Sequence, residues 1–188
     1  LSNTGFAKLQ RKTVATGLCW LSALLLGVFT SSSVSAEPDI HALRSAYLYY
    51  FSHFISWPDD SEFPQSELNL CVRTDDKKDQ FQLTTIDNKS LGANTLKIVL
   101  LAPRGVSALA SCHMLYVAEE HREWLAAIRP EISVRTLLIT EGLLDERGVI
   151  HLFMQNSKLK FSIDNRSLVD RNFKASSKLL RLSVRNGA

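Results

Sequence analysis

At 188 residues, with 45 % apolar and 22 % charged side chains, the chain has the composition of a globular domain and not of a disordered one. Its formal charge of +3 disappears once the first 36 residues are set aside. They hold Lys8, Arg11 and Lys12 and no acid, which leaves 19 basic and 19 acidic side chains. A neutral remainder offers no net electrostatic footprint, so neither nucleic acid nor anionic lipid is expected as a partner.

Residues 1–36 read as a secretory signal. Lys8 to Lys12 form a positive stretch, Val14 to Phe29 a mostly apolar run, and Val34-Ser35-Ala36 a site with small residues where a signal peptidase reads them. The predicted cut falls between Ala36 and Glu37. An uncleaved anchor would need about 20 apolar residues, and this run has 16, three of them Thr16, Gly17 and Ser22. Residues 37–188 are then a single exported domain, with no membrane insertion expected after cleavage.

The first element of that domain is a helix over 39–57. Ile40, Leu43, Tyr47, Tyr50, Phe51, Phe54 and Trp57 recur at three- and four-residue steps, Asp39 is placed to cap it and Pro58 to stop it. Its polar strip is narrow: His41, Ser45, Tyr49, Ser52, His53 and Ser56, with Arg44 the one fixed charge. Core packing explains most of its aromatic residues. Tyr49, on the polar strip, is a candidate contact residue, because tyrosine is favoured at interfaces.

Strands are expected near 68–73, 95–101, 113–117 and 133–140, alternating with helical segments near 77–87, 104–111 and 119–129. The alternation predicts an α/β fold with a mostly parallel central sheet flanked by helices. Val149 to Met154 and Leu159 to Ile163 flank Gln155-Asn156-Ser157-Lys158 and read as a C-terminal β-hairpin. Asp164 is placed to cap a short helix reaching about Arg171. Residues 174–184 fit strand or helix, with a short terminal helix from Ser177 preferred.

Cys71 and Cys112 each lie in or beside a strand-like run. In an oxidising compartment they allow one disulfide; the alternative is two buried thiols. Signatures of catalysis are missing: there is no GxSxG elbow, no glycine-rich phosphate loop and no HExxH. His41, His53, His113, His121 and His151 show no metal-ligand spacing. No catalytic residue, metal or cofactor is therefore assigned.

The string Ala46-Tyr47-Leu48-Tyr49-Tyr50-Phe51-Ser52-His53-Phe54-Ile55-Ser56-Trp57-Pro58 resembles the opening motif of the YfiR family, AYLYxFxxFxxWP. LNLCV at 68–72, CHMLYV at 112–117, GVIHLF at 148–153, KFSID at 160–164 and SSKLLRLSV at 176–184 follow in order. Arg147 stands where a second glycine is common and Asp164 where asparagine is common. The resemblance implies a periplasmic protein without catalytic activity, made by a Gram-negative bacterium. It would bind the periplasmic sensor domain of an inner-membrane diguanylate cyclase and repress it, lowering cyclic di-GMP and biofilm formation. A sensor kinase is the alternative receptor, a small-molecule-binding module the alternative function, and a homodimer is compatible with either. Met154, Gln155, Asn156 and Lys158 in the hairpin join Tyr49 as candidate partner-binding residues.

Overall fold

The structure, a computed structural model, describes residues 39–58, 61–142 and 147–184. The predicted signal and its cut at Ala36–Glu37 lie outside the described residues.

Helix α1 (Ile40–Phe54) starts where the Asp39 carboxylate accepts a hydrogen bond from the His41 backbone N–H, at 3.0 Å. It ends as the chain turns extended into the two-residue strand β1 (Ile55–Ser56) just before Pro58. Beyond a 3₁₀ turn come β2 (Glu67–Arg73), α2 (Lys77–Thr84), β3 (Ser90–Leu91) and β4 (Asn94–Leu100). A second 3₁₀ segment (Val106–Ser111) leads into β5 (Met114–Val117), α3 (Arg122–Ile128) and β6 (Leu137–Glu141). The chain closes with β7 (Ile150–Gln155), β8 (Lys158–Ile163), α4 (Asn165–Asp170), β9 (Lys174–Ala175) and α5 (Ser177–Leu182).

Seven strands form one sheet in the order β3-β4-β2-β5-β6-β7-β8, and the short pair β1-β9 stands apart. β2 is parallel to both β4 and β5, and β5-β6 and β6-β7 are also parallel; β3 and β8 flank them antiparallel. The expected mostly parallel α/β sheet is thus present. The central strands are continuous apolar runs because both faces are covered. Alternate residues serve two cores. Leu70, Met114, Tyr116, Leu137 and Ile139 pack with Leu48 and Phe51 of α1, while Cys71, Leu115, Val117 and Leu138 pack with Leu125 and Ile128 of α3. Phe51 and Tyr47 meet Phe161 of β8 edge-on, at 5.1 and 5.4 Å between ring centroids. Each such side chain fully removed from water stabilises by about 1.5–3 kcal/mol.

Several boundaries differ from the sequence expectation. The strand expected from 133 begins at Leu137. Upstream of it the chain turns, with the Thr136 N–H bonded to the Ser133 carbonyl, and Val134 is left 67 % exposed. The segment at 104–111 is 3₁₀ rather than α, and 119–129 is a 3₁₀ turn (Glu119–His121) followed by α3. The helix expected over 77–87 stops at Thr84. The hairpin loop is two residues, not four: Gln155 pairs with Lys158, and Asn156 and Ser157 take φ of +50° and +58°. That is the left-handed backbone of a tight turn matched to strand twist.

Candidate functional site

In open parallel sheets, binding crevices form at the carboxyl ends of strands where the strand order reverses. Here β2 connects through α2 to β4 on one side, and the chain then crosses to β5 on the other, so the reversal lies between β2 and β5. The polar side chains of this molecule gather at that end.

Arg44 reaches in from the first turns of α1. Its Nε and Nη2 donate to the two oxygens of Glu141, at 2.6 and 2.7 Å, and its Nη1 donates to Asp79 Oδ1. Tyr116 Oη donates to Glu141 Oε2 at 2.7 Å, and His41 Nδ1 lies 2.8 Å from Asp79 Oδ1. Arg44, Asp79 and Glu141 have side chains 14 %, 6 % and 14 % exposed, so this is a desolvated cluster. Burial opposes the Arg44 charge, but the Glu141 hydrogen bonds and the fields of Tyr116, Glu141 and Asp79 outweigh it, and the guanidinium is held protonated more firmly than usual. Burial, with Glu141 beside it, pushes the Tyr116 phenol well above its ordinary value.

Next to it, Arg73 Nη1 donates to Asp75 Oδ1 at 2.6 Å, and the buried His121 Nε2 lies 3.6 Å from Asp75 and 3.7 Å from Glu120. Asp75 is held below the usual carboxylate range by its hydrogen bond from Arg73, which outweighs the opposing desolvation.

The arrangement clamps α1 to α2 and to the end of β6. Both Glu141 oxygens and Asp79 Oδ1 are already engaged, and a tyrosine with a raised pKa beside a carboxylate is a poor proton donor or base at neutral pH. His41, Asp76 and Asp79 bring potential ligand atoms within 4.8 Å of one another. A divalent cation there would face the Arg44 guanidinium on the same Asp79 oxygen, while Asp76 Oδ1 already accepts from the backbone N–H groups of Lys78 and Asp79 at the start of α2. The cluster fits a structural clamp better than a metal centre.

The residues singled out from sequence are not brought together here. Tyr49 is half-buried, with its hydroxyl 3.4 Å from the Ser90 carbonyl and the Lys89 ammonium 5.1 Å from its ring centre. Its neighbour Tyr50 is the one left 50 % exposed, while Ser45 and Ser52 are buried. Neighbouring α2 and α5 cover part of the strip that periodicity assigned to solvent. Ser52 meets its hydrogen-bonding need inside the helix, donating to the Tyr49 carbonyl at 2.7 Å. Met154, Gln155, Asn156 and Lys158 are all exposed at the hairpin tip.

Cys71 on β2 and Cys112, just before β5, form a disulfide with Cα atoms 5.6 Å apart. It lies in the core on the α3 face, away from α1, and the sheet register places the end of the 3₁₀ segment beside β2.

The YfiR/HmsC-like family profile, DUF4154, matches residues 41–184, from the start of α1 past the end of α5. The chain belongs to the YfiR/HmsC-like family. The match spans both cores, the clamp and the disulfide, so the family relationship covers the whole described domain. YfiR/HmsC-like proteins are periplasmic and generally regulatory rather than catalytic. Among the described residues, no helix is long and apolar enough to cross a membrane. No curated protein matches the chain.

Proposed function

We propose that this protein is an exported, non-catalytic regulator that binds the periplasmic sensor domain of an inner-membrane diguanylate cyclase and holds it inactive. Membership of the YfiR/HmsC-like family over residues 41–184 carries the reading. The polar clamp agrees with it, since Arg44, Glu141 and Tyr116, at the end of the sheet where an α/β enzyme would work, are bonded to one another. Regulation across a membrane without catalysis must act through differential affinity for the two receptor states. Moving a receptor from almost wholly on to almost wholly off takes about 5.5 kcal/mol of preference, within reach of an ordinary protein interface.

Deleting the gene should raise cyclic di-GMP, and the rise should vanish when the candidate cyclase is deleted too. Unchanged cyclic di-GMP in a strain expressing that cyclase would sink the reading.

A ligand-binding function has one feature in its favour. A cleft of about 470 Å³ at the carboxyl end of α1 is lined by His53, Trp57, Phe63, Leu91 and Asn94 among others. Its volume falls within the range of small-molecule sites. A co-purifying small molecule displaced by Trp57→Ala would favour this second reading.

A further inference from the structure

The neutrality of the exported domain hides a segregation of charge. From Lys158 to Val184 there are seven lysines and arginines against two aspartates, whereas residues 37–157 carry eleven against seventeen acids. The fold turns part of this asymmetry into one in space: Lys158 and Lys160 open β8 on the carboxyl-end side of the sheet, whereas Arg166, Arg171, Lys174, Lys178 and Arg181 come after its last residue. Asp75, Asp76, Asp79, Glu120 and Glu141 gather at the carboxyl ends of the parallel strands. β8 runs antiparallel, so its last residue, Ile163, pairs with Ile150, the first of β7, and α4 starts at the opposite end of the sheet.

There an open groove of about 820 Å³ runs between the β8–α4 junction and α5. Arg166 and Arg181 line it, with Ile163, Leu180 and Val184 as its apolar part. Leu180 is 37 % exposed and Leu182, on the same helix, 65 %. Among the described residues no direct salt bridge joins Arg166 or Arg181 to a carboxylate, although the field of Arg166 helps hold Asp164 below its ordinary range, whereas Arg44 and Arg73 at the other end are both matched directly to carboxylates. The one carboxylate in the groove, Asp164, is committed to capping α4: it accepts from the backbone N–H groups of Arg166 and Ser167 and from the Ser167 hydroxyl. Two guanidinium groups and three apolar side chains therefore line the groove among polar ones, and its one carboxylate is already engaged at the cap of α4.

We propose that this groove docks an acidic peptide segment of the receptor's periplasmic domain, one that places a carboxylate between Arg166 and Arg181 and an aliphatic side chain on Leu180 and Val184. The inference rests on the regulator reading and adds the surface and partner chemistry to it. Arginine suits the task because its planar fork matches a carboxylate bidentately. The cations around the groove also favour approach of an acidic partner groove-first, since long-range fields steer encounter. A peptide is preferred to a membrane surface because Ile163, Leu180 and Val184 line a concave groove together with the arginines, where a side chain can enter and a flat bilayer makes little contact.

The test compares the exported full-length protein with Arg166→Glu/Arg181→Glu and with Lys77→Glu/Lys78→Glu, which makes the same charge change at the exposed start of α2. Two probes are titrated: a fluorescent peptide of alternating Glu and Leu, and phosphatidylglycerol vesicles. Cyclic di-GMP is measured in cells carrying each version. The groove variant should keep the wild-type melting temperature and disulfide, bind the acidic peptide at least tenfold more weakly, and fail to lower cyclic di-GMP, while the α2 variant behaves as wild type. If gene deletion raises cyclic di-GMP but the groove variant still represses, the docking site is wrong and the regulator reading survives. If deletion has no effect, the regulator reading fails, and the peptide titration alone decides the groove. Loss of vesicle binding with unchanged peptide binding would overturn the proposal in favour of a membrane surface.

Discussion

Arg44 is the residue on which most of the polar architecture turns. It neutralises two buried carboxylates at once, and Asp79 and Glu141 lie 35 and 97 residues away in sequence. Breaking a buried ion pair from one side costs more than the pair contributes, because the remaining charges stay desolvated. Arg44→Ala should destabilise the fold by about 3–5 kcal/mol in urea titration. Arg44→Lys should recover only part of that, because an ammonium cannot serve Glu141 bidentately. A loss under about 1 kcal/mol for Arg44→Ala would mean that the cluster is solvated and the clamp is not structural. His151 is a different case. It is 4 % exposed, bonded through Nδ1 to Thr140, and held below its ordinary pKa of 6.5 first by burial and then by the charge of Arg147, with Glu141 opposing. The unfolded chain takes up a proton near pH 6.5 while the folded protein resists it. The contribution of neutral His151 is therefore complete above that pH and declines as pH falls through 6.5 toward the depressed value. The stability advantage of wild type over His151→Gln should shrink between pH 7 and 5; an advantage that grows would contradict the assignment.

Among the elements, α1 and the central strands announce themselves because burial imposes a period on them. Leu48 and Phe51 lie on the predicted apolar face, and the β-branched run Ile98-Val99 lies within β4. What periodicity could not supply is who covers a given strip. Ser45 and Ser52 read as solvent-facing and are buried. The two-residue strands Ile55–Ser56 and Lys174–Ala175 were illegible for a related reason: each is extended only because the other, more than a hundred residues away, is there to bond it. The Arg44 cluster escaped notice likewise, since only the crossing of the chain from β4 to β5 assembles it. The charge asymmetry of the last segment was countable from sequence but vanished in the total. The disulfide was legible as a pairing of two cysteines, and the fold gives it a place, tying the lead-in to β5 onto β2. By the loop-entropy account, a 41-residue separation corresponds to about 4 kcal/mol. Cys71→Ser or Cys112→Ser should cost about 2–5 kcal/mol, and thiol counting of denatured, non-reduced periplasmic protein should find none free. Two titratable thiols in that material would refute the bridge.

For the whole molecule, the decisive question is the side of the membrane on which it acts. The proposed function requires three properties together: a leader that exports the chain, an oxidising compartment in which Cys71 and Cys112 close, and a receptor whose sensor domain lies in the same space. A protein confined to the cytoplasm lacks all three, even though the cyclase product it would control is made there. Removing residues 1–36 should therefore abolish any effect on cyclic di-GMP. Replacing them with the signal peptide of an unrelated periplasmic protein should restore it, because the leader contributes an address and no contact surface. The two versions separate location from folding when each is checked for its disulfide and melting temperature. A leaderless version carried in a strain with an oxidising cytoplasm closes the bridge without crossing the membrane. It should still fail to lower cyclic di-GMP, since a folded regulator on the wrong side has no receptor face to bind. Repression by that cytoplasmic, disulfide-bonded form would show that the protein acts on the cytoplasmic side, and the sensor-domain reading would fall.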